Sequence, residues 1–538
     1  MPSYDRYRIL RFVLWSLILI MAGAILANLM DRLPGRRNMP GTSHGWDKLL
    51  LVLEQIDRNY VDSIDYEKVT EEILPVIMGE LDPHSVYLPP KSLEEANAEL
   101  EGNFDGIGIT FNVPEDTAIV INVIAGGPSE RAGLLSGDRI MSVDGRNVAG
   151  VGLPQDSLVG MLKGVSGTKV HLDIMRGGEM VAFDVVRDRI PMKSVDVAYM
   201  IDDTTGYMKL SKFTRTSYSE FEAALPELQK AGMRRLIFDL RDNTGGYLDQ
   251  ALLLSNEFLP EGSLIVYMEG AHRPRQNFYA DGSGKCQNVR LSVLVNESSA
   301  SSSEIFAGAM QDNDRATIYG RRTYGKGMVQ EPIYFTDNSG IRLTVARFYT
   351  ATGRCIQKPY TPGGTDYMYD IYERYRHGEM TDADSIVRND SLKYVTPKGK
   401  VVYGGGGIIP DVFVPIDTVG VTDLLVRINR QALTVKYSSE VADRYRKQLR
   451  RATTLDSLIT LLDSMGLEDG FLDYLSRQGV SVDRDQWKIS GEIVLTQLRA
   501  LIGRYSPLDD NAFYPLIAPI DNVIVEASGI EPVSVTPD

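Results

Sequence analysis

"LSVLVNESSASSSEIFAGAMQD", Leu291 to Asp312, decides how the middle of this chain folds. It opens on a short apolar run, closes on "EIFAGAMQ" with apolar residues at helical spacing, and crowds five serines between them. That pattern predicts a strand, a turn and a helix. "RRLIFDLRDNTGGYLDQALLLSNEFL", Arg234 to Leu259, repeats the unit with a buried strand over Leu236 to Leu240, a glycine-rich turn and a helix directly after it. Two such units predict a layered α/β core whose functional loops gather at the carboxyl ends of the strands. The serine turn is one of those loops. It is either a helix cap, because Ser301 and Glu304 have the S-x-x-E spacing of a capping box, or a place where a hydroxyl does chemistry.

Upstream of this core, from about Gly102 to Arg187, the apolar period changes to two. "GIGITFNV", "AIVINVI", "DRIMSVDG" and "KVHLDIMRGG" read as short strands, with one helical stretch near "LPQDSLVGMLKG". The segment reads as a partly open β-barrel. Through "GIGI" (Gly106 to Ile109), "GGPSERAGLLSGDRIMSVDG" (Gly126 to Gly145) and "VHLDIMR" it resembles a PDZ domain. The resemblance implies that the loop Gly106, Ile107, Gly108 and Ile109 holds a terminal carboxylate on backbone N–H groups while the adjacent strand edge pairs with the peptide. Helical patterns flank the two regions. The expected division is 1–43 anchor and linker, 44–101 helical, 102–187 PDZ, 188–419 α/β core and 420–538 helical. The last segment has leucine-rich faces and no chemical motif, so packing or association is its expected use.

The balance of 57 Lys and Arg against 72 Asp and Glu, a net charge of -15, argues against nucleic acid as a partner, since a phosphate-binding surface needs a basic excess. Only two cysteines occur, Cys286 and Cys355, with no CxxC pair and no Cys/His cluster, so no metal site is expected. The pair is open to two readings, one disulfide or two buried thiols. Arg6, Arg8 and Arg11 precede "FVLWSLILIMAGAILANLM", Phe12 to Met30, which is about the length of a membrane span. The "AGA" at Ala22 to Ala24 offers a cleaved signal peptide as the competing reading. An uncleaved anchor, with the acidic bulk outside the cytoplasm, is the expectation.

A serine hydroxyl needs a base to become a nucleophile. None of the five histidines, His44, His84, His171, His272 and His377, lies in a segment that reads as the top of the core, and His84 in "LDPHSVYLPP" reads as structural. Lysine is the other candidate. "YGRRTYGKGMVQEP" sets Lys326 between two glycines at the start of a strand, and burial beside Met328, Val329 and Tyr324 would lower its pKa by the roughly three units that a base near neutrality needs. The S-x-x-K match at Ser166 and Lys169 is set aside, because no S-D-N or K-T-G element accompanies it.

"SASSSEIFAGAMQDNDRATIYGRRTYGKGMVQ", Ser299 to Gln330, resembles the active-site signature of the C-terminal processing peptidases, or tail-specific proteases. "LDPHSVYLPP", the PDZ stretch, "DLRDNTGG" and "GGIIPDV" follow the family's order over about 46–415. The resemblance implies Ser301 as nucleophile, Lys326 as base and Gln330 as assisting residue. It implies the amides of Gly245, Gly246 and Ser302 as the oxyanion hole, and a structural role for Asp312. The fold it implies is multidomain α/β: a crotonase-like protease core with an inserted PDZ barrel, helical terminal segments and an amino-terminal transmembrane helix. Ser302 stands where the signature usually has alanine.

The expectation is thus a membrane-anchored serine endopeptidase of the cell envelope, its catalytic part in the periplasm, that needs no cofactor and takes protein substrates with free, apolar carboxyl termini. Homo-oligomerisation is left open. Two rival readings are a catalytically inactive, membrane-tethered PDZ scaffold and a crotonase-like acyl-transfer enzyme. Retention of Ser301, Lys326 and Gln330 together speaks against the first, and the PDZ insertion against the second.

Overall fold

The structure is a computed structural model that describes residues 44–113 and 116–532. The stretch Phe12 to Met30 lies outside the described residues, and among those described no helix is long and apolar enough to cross a membrane. The chain divides after Ile73 into two units. The first contains helix α1 (His44–Asn59), with Asp57 accepting a 2.8 Å hydrogen bond from the Tyr66 hydroxyl. Helix α2 (Tyr66–Gly79) carries Pro75 inside it.

The second unit begins with β1 (Val86–Leu88) and helix α3 (Pro90–Glu101). A two-stranded stem follows, in which β2 (Asn103–Gly106) runs antiparallel to β8 (Asp188–Pro191), so the intervening segment is inserted through a single pair of strands. That insertion is an antiparallel sheet in the order β3 (Ile109–Asn112), β4 (Ala118–Val123), β5 (Arg139–Val143), β6 (Lys169–Arg176) and β7 (Glu179–Val186). Alternation in "KVHLDIMR" turns Val170, Leu172 and Ile174 inward, where Leu158 and Leu162 of helix α4 (Gln155–Leu162) meet them. The strands predicted for the insertion are therefore present as one sheet path, with helix α4 packed against its core.

Beyond the stem the chain runs β9 (Val195–Met200), β10 (Thr205–Leu210), helix α5 (Ser217–Lys230), β11 (Arg235–Asp239), helix α6 (Leu248–Asn256), β12 (Leu264–Gly270), β13 (Arg273–Tyr279), β14 (Arg290–Val295), helix α7 (Ser302–Asp312), β15 (Ala316–Gly320), β16 (Met328–Tyr334), β17 (Gly340–Tyr349), helix α8 (Asp366–Arg376) and β18 (Val412–Phe413). The main sheet has the order β9-β10-β11-β14-β15-β18, parallel except for the β9–β10 pair. Both strand-turn-helix units read from the sequence lie in it, and the serine turn leaves from the carboxyl end of β14. A second, antiparallel sheet joins β1, β17, β12, β13 and β16.

Strand alternation splits the main sheet between two cores. Leu236, Phe238, Val293 and Ile318 pack with Phe221, Leu254 and Phe306 of helices α5, α6 and α7. Ile237, Leu294 and Tyr207 point to the opposite face, where Ala518, Val523, Ile524 and Ala527 cover them. The carboxyl-terminal segment, read from the sequence as a separate helical region, thus supplies the second layer of the sheet. Its remaining helices bury their own core of Ile428, Leu458, Phe471, Tyr474, Leu498 and Ile502. They also grip the inserted domain: Arg139 pairs with Asp443 at 2.5 Å, Arg446 with Asp138 at 3.5 Å, and Asn122 donates to Asp509 at 2.6 Å.

Cys286 and Cys355 are both free thiols, so of the two readings the unbonded one holds. Asp312 has the structural part expected of it. At the end of α7 it accepts from Arg354 Nη2 at 2.6 Å and from the Thr352 hydroxyl at 2.6 Å, and both members of the ion pair are fully buried. Arg354 also donates to Gln311 Oε1 and to the Tyr403 carbonyl. Removing one partner would strand a buried charge, so Arg354→Ala is expected to cost about 3–5 kcal/mol, read as a lower urea midpoint than wild type.

Candidate active site

Ser301 sits at the turn into α7 with φ 55 and ψ -113, a left-handed conformation rare for a residue with a side chain. Holding it there costs roughly 1–3 kcal/mol, and such strain persists only where surrounding bonds over-determine it. Those bonds are visible. The Ala300 N–H donates to the Asn243 carbonyl at 3.0 Å, the Ser303 hydroxyl donates to the same carbonyl at 2.8 Å, and the Ser302 hydroxyl donates to the Gly246 carbonyl at 2.9 Å. Gly245, with φ 97, lies so close that a Cβ there would stand 2.8 Å from Ser301 Cβ, which excludes any other residue from the position.

The Glu304 carboxylate, fully buried, organises the site. Its Oε2 accepts from the Ser301 N–H at 3.0 Å and from the Lys326 N–H at 2.8 Å, while Oε1 accepts from the Gly325 N–H at 2.8 Å and the Thr323 hydroxyl at 2.5 Å. One oxygen therefore ties the serine turn to the Lys326 loop. The capping-box reading of Glu304 holds on this side, and the same contact brings Ser301 and Lys326 together. Burial pushes the Glu304 pKa above the ordinary carboxylate range, and the Thr323 hydroxyl and three amides, all donating, restrain the rise. Gly325, with φ 88, allows the sharp turn, and the Gly327 N–H is held by Gln357 Oε1 at 2.8 Å.

Burial lowers the Lys326 pKa from the usual lysine value, and the Arg342 guanidinium adds to the effect, opposed by Glu304 and Asp82. Among the described residues no hydrogen bond joins the Lys326 amine to the Ser301 hydroxyl or to Gln330. Gln330 lies beyond a β-bulge between Val329 and Gln330, opposite Thr344 of β17, and its Nε2 donates to Thr344 Oγ1 at 3.4 Å. The Gln330 amide thus engages threonine across the pair of strands.

His84 and its neighbours are the part sequence reading missed. Asp82 forms an Asx turn, accepting from the His84 and Ser85 amides at 2.8 and 2.9 Å, and β1 then pairs with β17 so that Val86 faces Arg342. Burial and the Lys326 charge push the His84 pKa down to about 4, against the pull of Asp82, so its ring is neutral at neutral pH. Its Nε2 lies 2.7 Å from the Tyr367 hydroxyl. Asn243 was also passed over; its Oδ1 accepts from the Gly245 N–H at 2.9 Å and its Nδ2 donates to the Leu210 carbonyl. The Gly245 N–H, expected as an oxyanion donor, is thus held by Asn243 in this structure.

Residues 204–365 match peptidase family S41, residues 106–186 match a PDZ domain, and residues 424–506 match a family of unknown function. A probable CtpA-like serine protease of Staphylococcus epidermidis is 31% identical over 365 residues, which cover 66% of this chain and 73% of that protein. The chain belongs to the carboxy-terminal processing proteases of family S41. The carboxy-terminal-processing protease of Bartonella bacilliformis is 32% identical over 343 residues, covering 63% of this chain and 78% of that one. Among solved structures, a photosystem II D1 C-terminal processing protease matches with a TM-score of 0.34 and 24% identity over 72% of this chain and 97% of its own.

In the protease the loop Gly106 to Ile109 joins the stem to β3. Ile107 turns its side chain into the core of the PDZ domain, so it can meet a ligand through its backbone only. The Ile107 and Gly108 carbonyls are taken by the Ser129 and Ile124 amides, and Gly108 has φ 73. Strand β3 pairs with β4 along one edge and ends the sheet path at the other.

Proposed function

We propose that the protease hydrolyses peptide bonds with a Ser301–Lys326 dyad and selects protein substrates by a free carboxyl terminus held in its PDZ domain. The observation that carries this reading is the shared Glu304 oxygen, which holds both backbones in one place. Neutral Lys326 takes the Ser301 proton as Oγ attacks the carbonyl carbon, and the resulting lysinium returns a proton to the leaving amine. Water then attacks the acyl-enzyme with Lys326 again as base. The negative oxygen of each tetrahedral intermediate is stabilised at the amino terminus of α7 by the Ser302 N–H, with the Gly246 N–H beside it. Gln330 assists by orienting the Lys326 amine.

The loop Gly106, Ile107, Gly108 and Ile109 receives the terminal carboxylate, and the open edge of β3 pairs with the last residues of the substrate. A cell-envelope location and membrane anchoring rest on Phe12 to Met30 and belong to the same proposal. The test is an unstructured peptide ending in apolar residues, offered with its terminal carboxylate free or amidated. Amidation is expected to reduce kcat/KM by about tenfold or more, the order of a lost charge-assisted contact. Equal turnover of the two peptides would remove the PDZ loop from substrate selection.

A further inference from the structure

Two residues far apart in sequence converge on Gln330. Thr344 faces it directly across the β16–β17 pair, and Asp82 approaches from the turn before β1, on the other side of β17. Thr344 Oγ1 donates to Asp82 Oδ1 at 3.1 Å, and its backbone N–H donates to the Ser85 hydroxyl at 3.0 Å. The Ser85 hydroxyl in turn donates to Asp82 Oδ2 at 2.6 Å. Asp82 and Ser85 are almost wholly buried, at 5% and 2% exposure, so this arrangement is shielded from exchange with water.

The direction of each bond follows from chemistry. An ionised carboxylate accepts and never donates, so the single hydroxyl proton of Thr344 is spent on Asp82. Thr344 Oγ1 can then offer Gln330 only lone pairs. The amide must present its NH₂ to Thr344, which fixes a side chain whose two ends are otherwise interchangeable. Its carbonyl Oε1 is left as the free end, and an acceptor is what the N–H bonds of a lysine amine need.

We infer that Asp82 and Thr344 are positioning residues: through a one-way chain of hydrogen bonds they lock the Gln330 amide with its carbonyl free to accept from Lys326. The inference rests on the Ser301–Lys326 reading and adds to it the means by which Gln330 is oriented. It also gives the "LDPHS" turn a task in the reaction, through Thr344 and without contact with substrate.

The test is steady-state kinetics of the full-length chain on a fluorogenic unstructured peptide with a free apolar terminus. Thr344→Val, which keeps shape and strand preference, is expected to lower kcat roughly tenfold with KM unchanged. Thr344→Ser, which restores the hydroxyl, should recover most of the loss. Gln330→Ala should lower kcat by a similar factor, and the double variant with Thr344→Val should be no slower than Gln330→Ala alone. Should Thr344→Val fail to fold, Thr344→Ala carries the same comparison. Wild-type kcat in the threonine variant, or losses that multiply in the double variant, would overturn the chain while leaving the dyad standing. Full turnover by Ser301→Ala in the same assay would overturn both.

Discussion

Ser301→Ala and Lys326→Met are each expected to reduce turnover of an unstructured protein by on the order of 10⁴-fold or more, and the double variant is expected to be no slower than either. In the proposed mechanism the two groups act on one proton, so removing either removes the same step. Their stabilities should separate them. Lys326 is half-buried, and desolvation together with the Arg342 charge lowers its pKa. Its folded pKa therefore lies below its unfolded one. At a pH between the two values the unfolded chain binds the extra proton, so wild-type stability rises with pH through that window. Methionine fills the space without a charge. Lys326→Met is expected to be more stable than wild type, with the gain largest below the folded pKa and vanishing above the unfolded one. Melting temperature against pH measures this, and the acidic limb of the wild-type pH–rate profile should report the same group. Turnover persisting in Lys326→Met would take the lysine out of the mechanism, and Ser301 would then be a helix cap only.

Glu304→Ala carries the second large effect, because it acts on fold and chemistry together. The Ser301, Gly325 and Lys326 amides and the Thr323 hydroxyl would all lose their fully buried acceptor at once. At about 1–3 kcal/mol for each buried donor left unpaired, the loss is expected to be on the order of 5 kcal/mol after partial relaxation. With the serine turn and the Lys326 loop no longer joined, kcat should fall by roughly 10²-fold, the order of a misplacement of about an ångström. Glu304→Gln should be milder. The amide can set its nitrogen beside Thr323, whose oxygen can accept, and keep an oxygen for Ser301 and Lys326, so that only the Gly325 N–H and the Thr323 O–H lose their acceptor. Urea midpoints and kcat values ranked wild type, Gln, Ala in that order would bear this out. A stability loss with unchanged kcat would reduce Glu304 to a cap.

Much of the site was legible as sequence because its signals are local. The serine turn, the glycines around Lys326 and the S-x-x-E spacing each occupy a few neighbouring residues. Gln330 was found by resemblance, but its partner was not. The four residues from Lys326 to Gln330 gave no hint of the bulge that redirects the chain or of Thr344 opposite. Gly245 looked like a donor because its neighbour on the chain does not reveal that Asn243 Oδ1 folds back onto its N–H. His84 read as structural, and nothing in "LDPHSVYLPP" announces that it will stand near Lys326.

By itself the sequence determined the two strand-turn-helix units, the alternating strands of the PDZ domain and the presence of helices at both ends. These follow from the spacing of apolar side chains along a short stretch of chain, which the backbone period alone converts into faces. Only the tertiary structure decided that the last helices cover the back of the sheet, that Asp82 reaches Thr344, and that one oxygen of Glu304 serves both Ser301 and Lys326. Those contacts join residues tens to hundreds of positions apart. They form because a folded interior must find partners for every buried polar group, and which partners are within reach is settled only once the layers have packed.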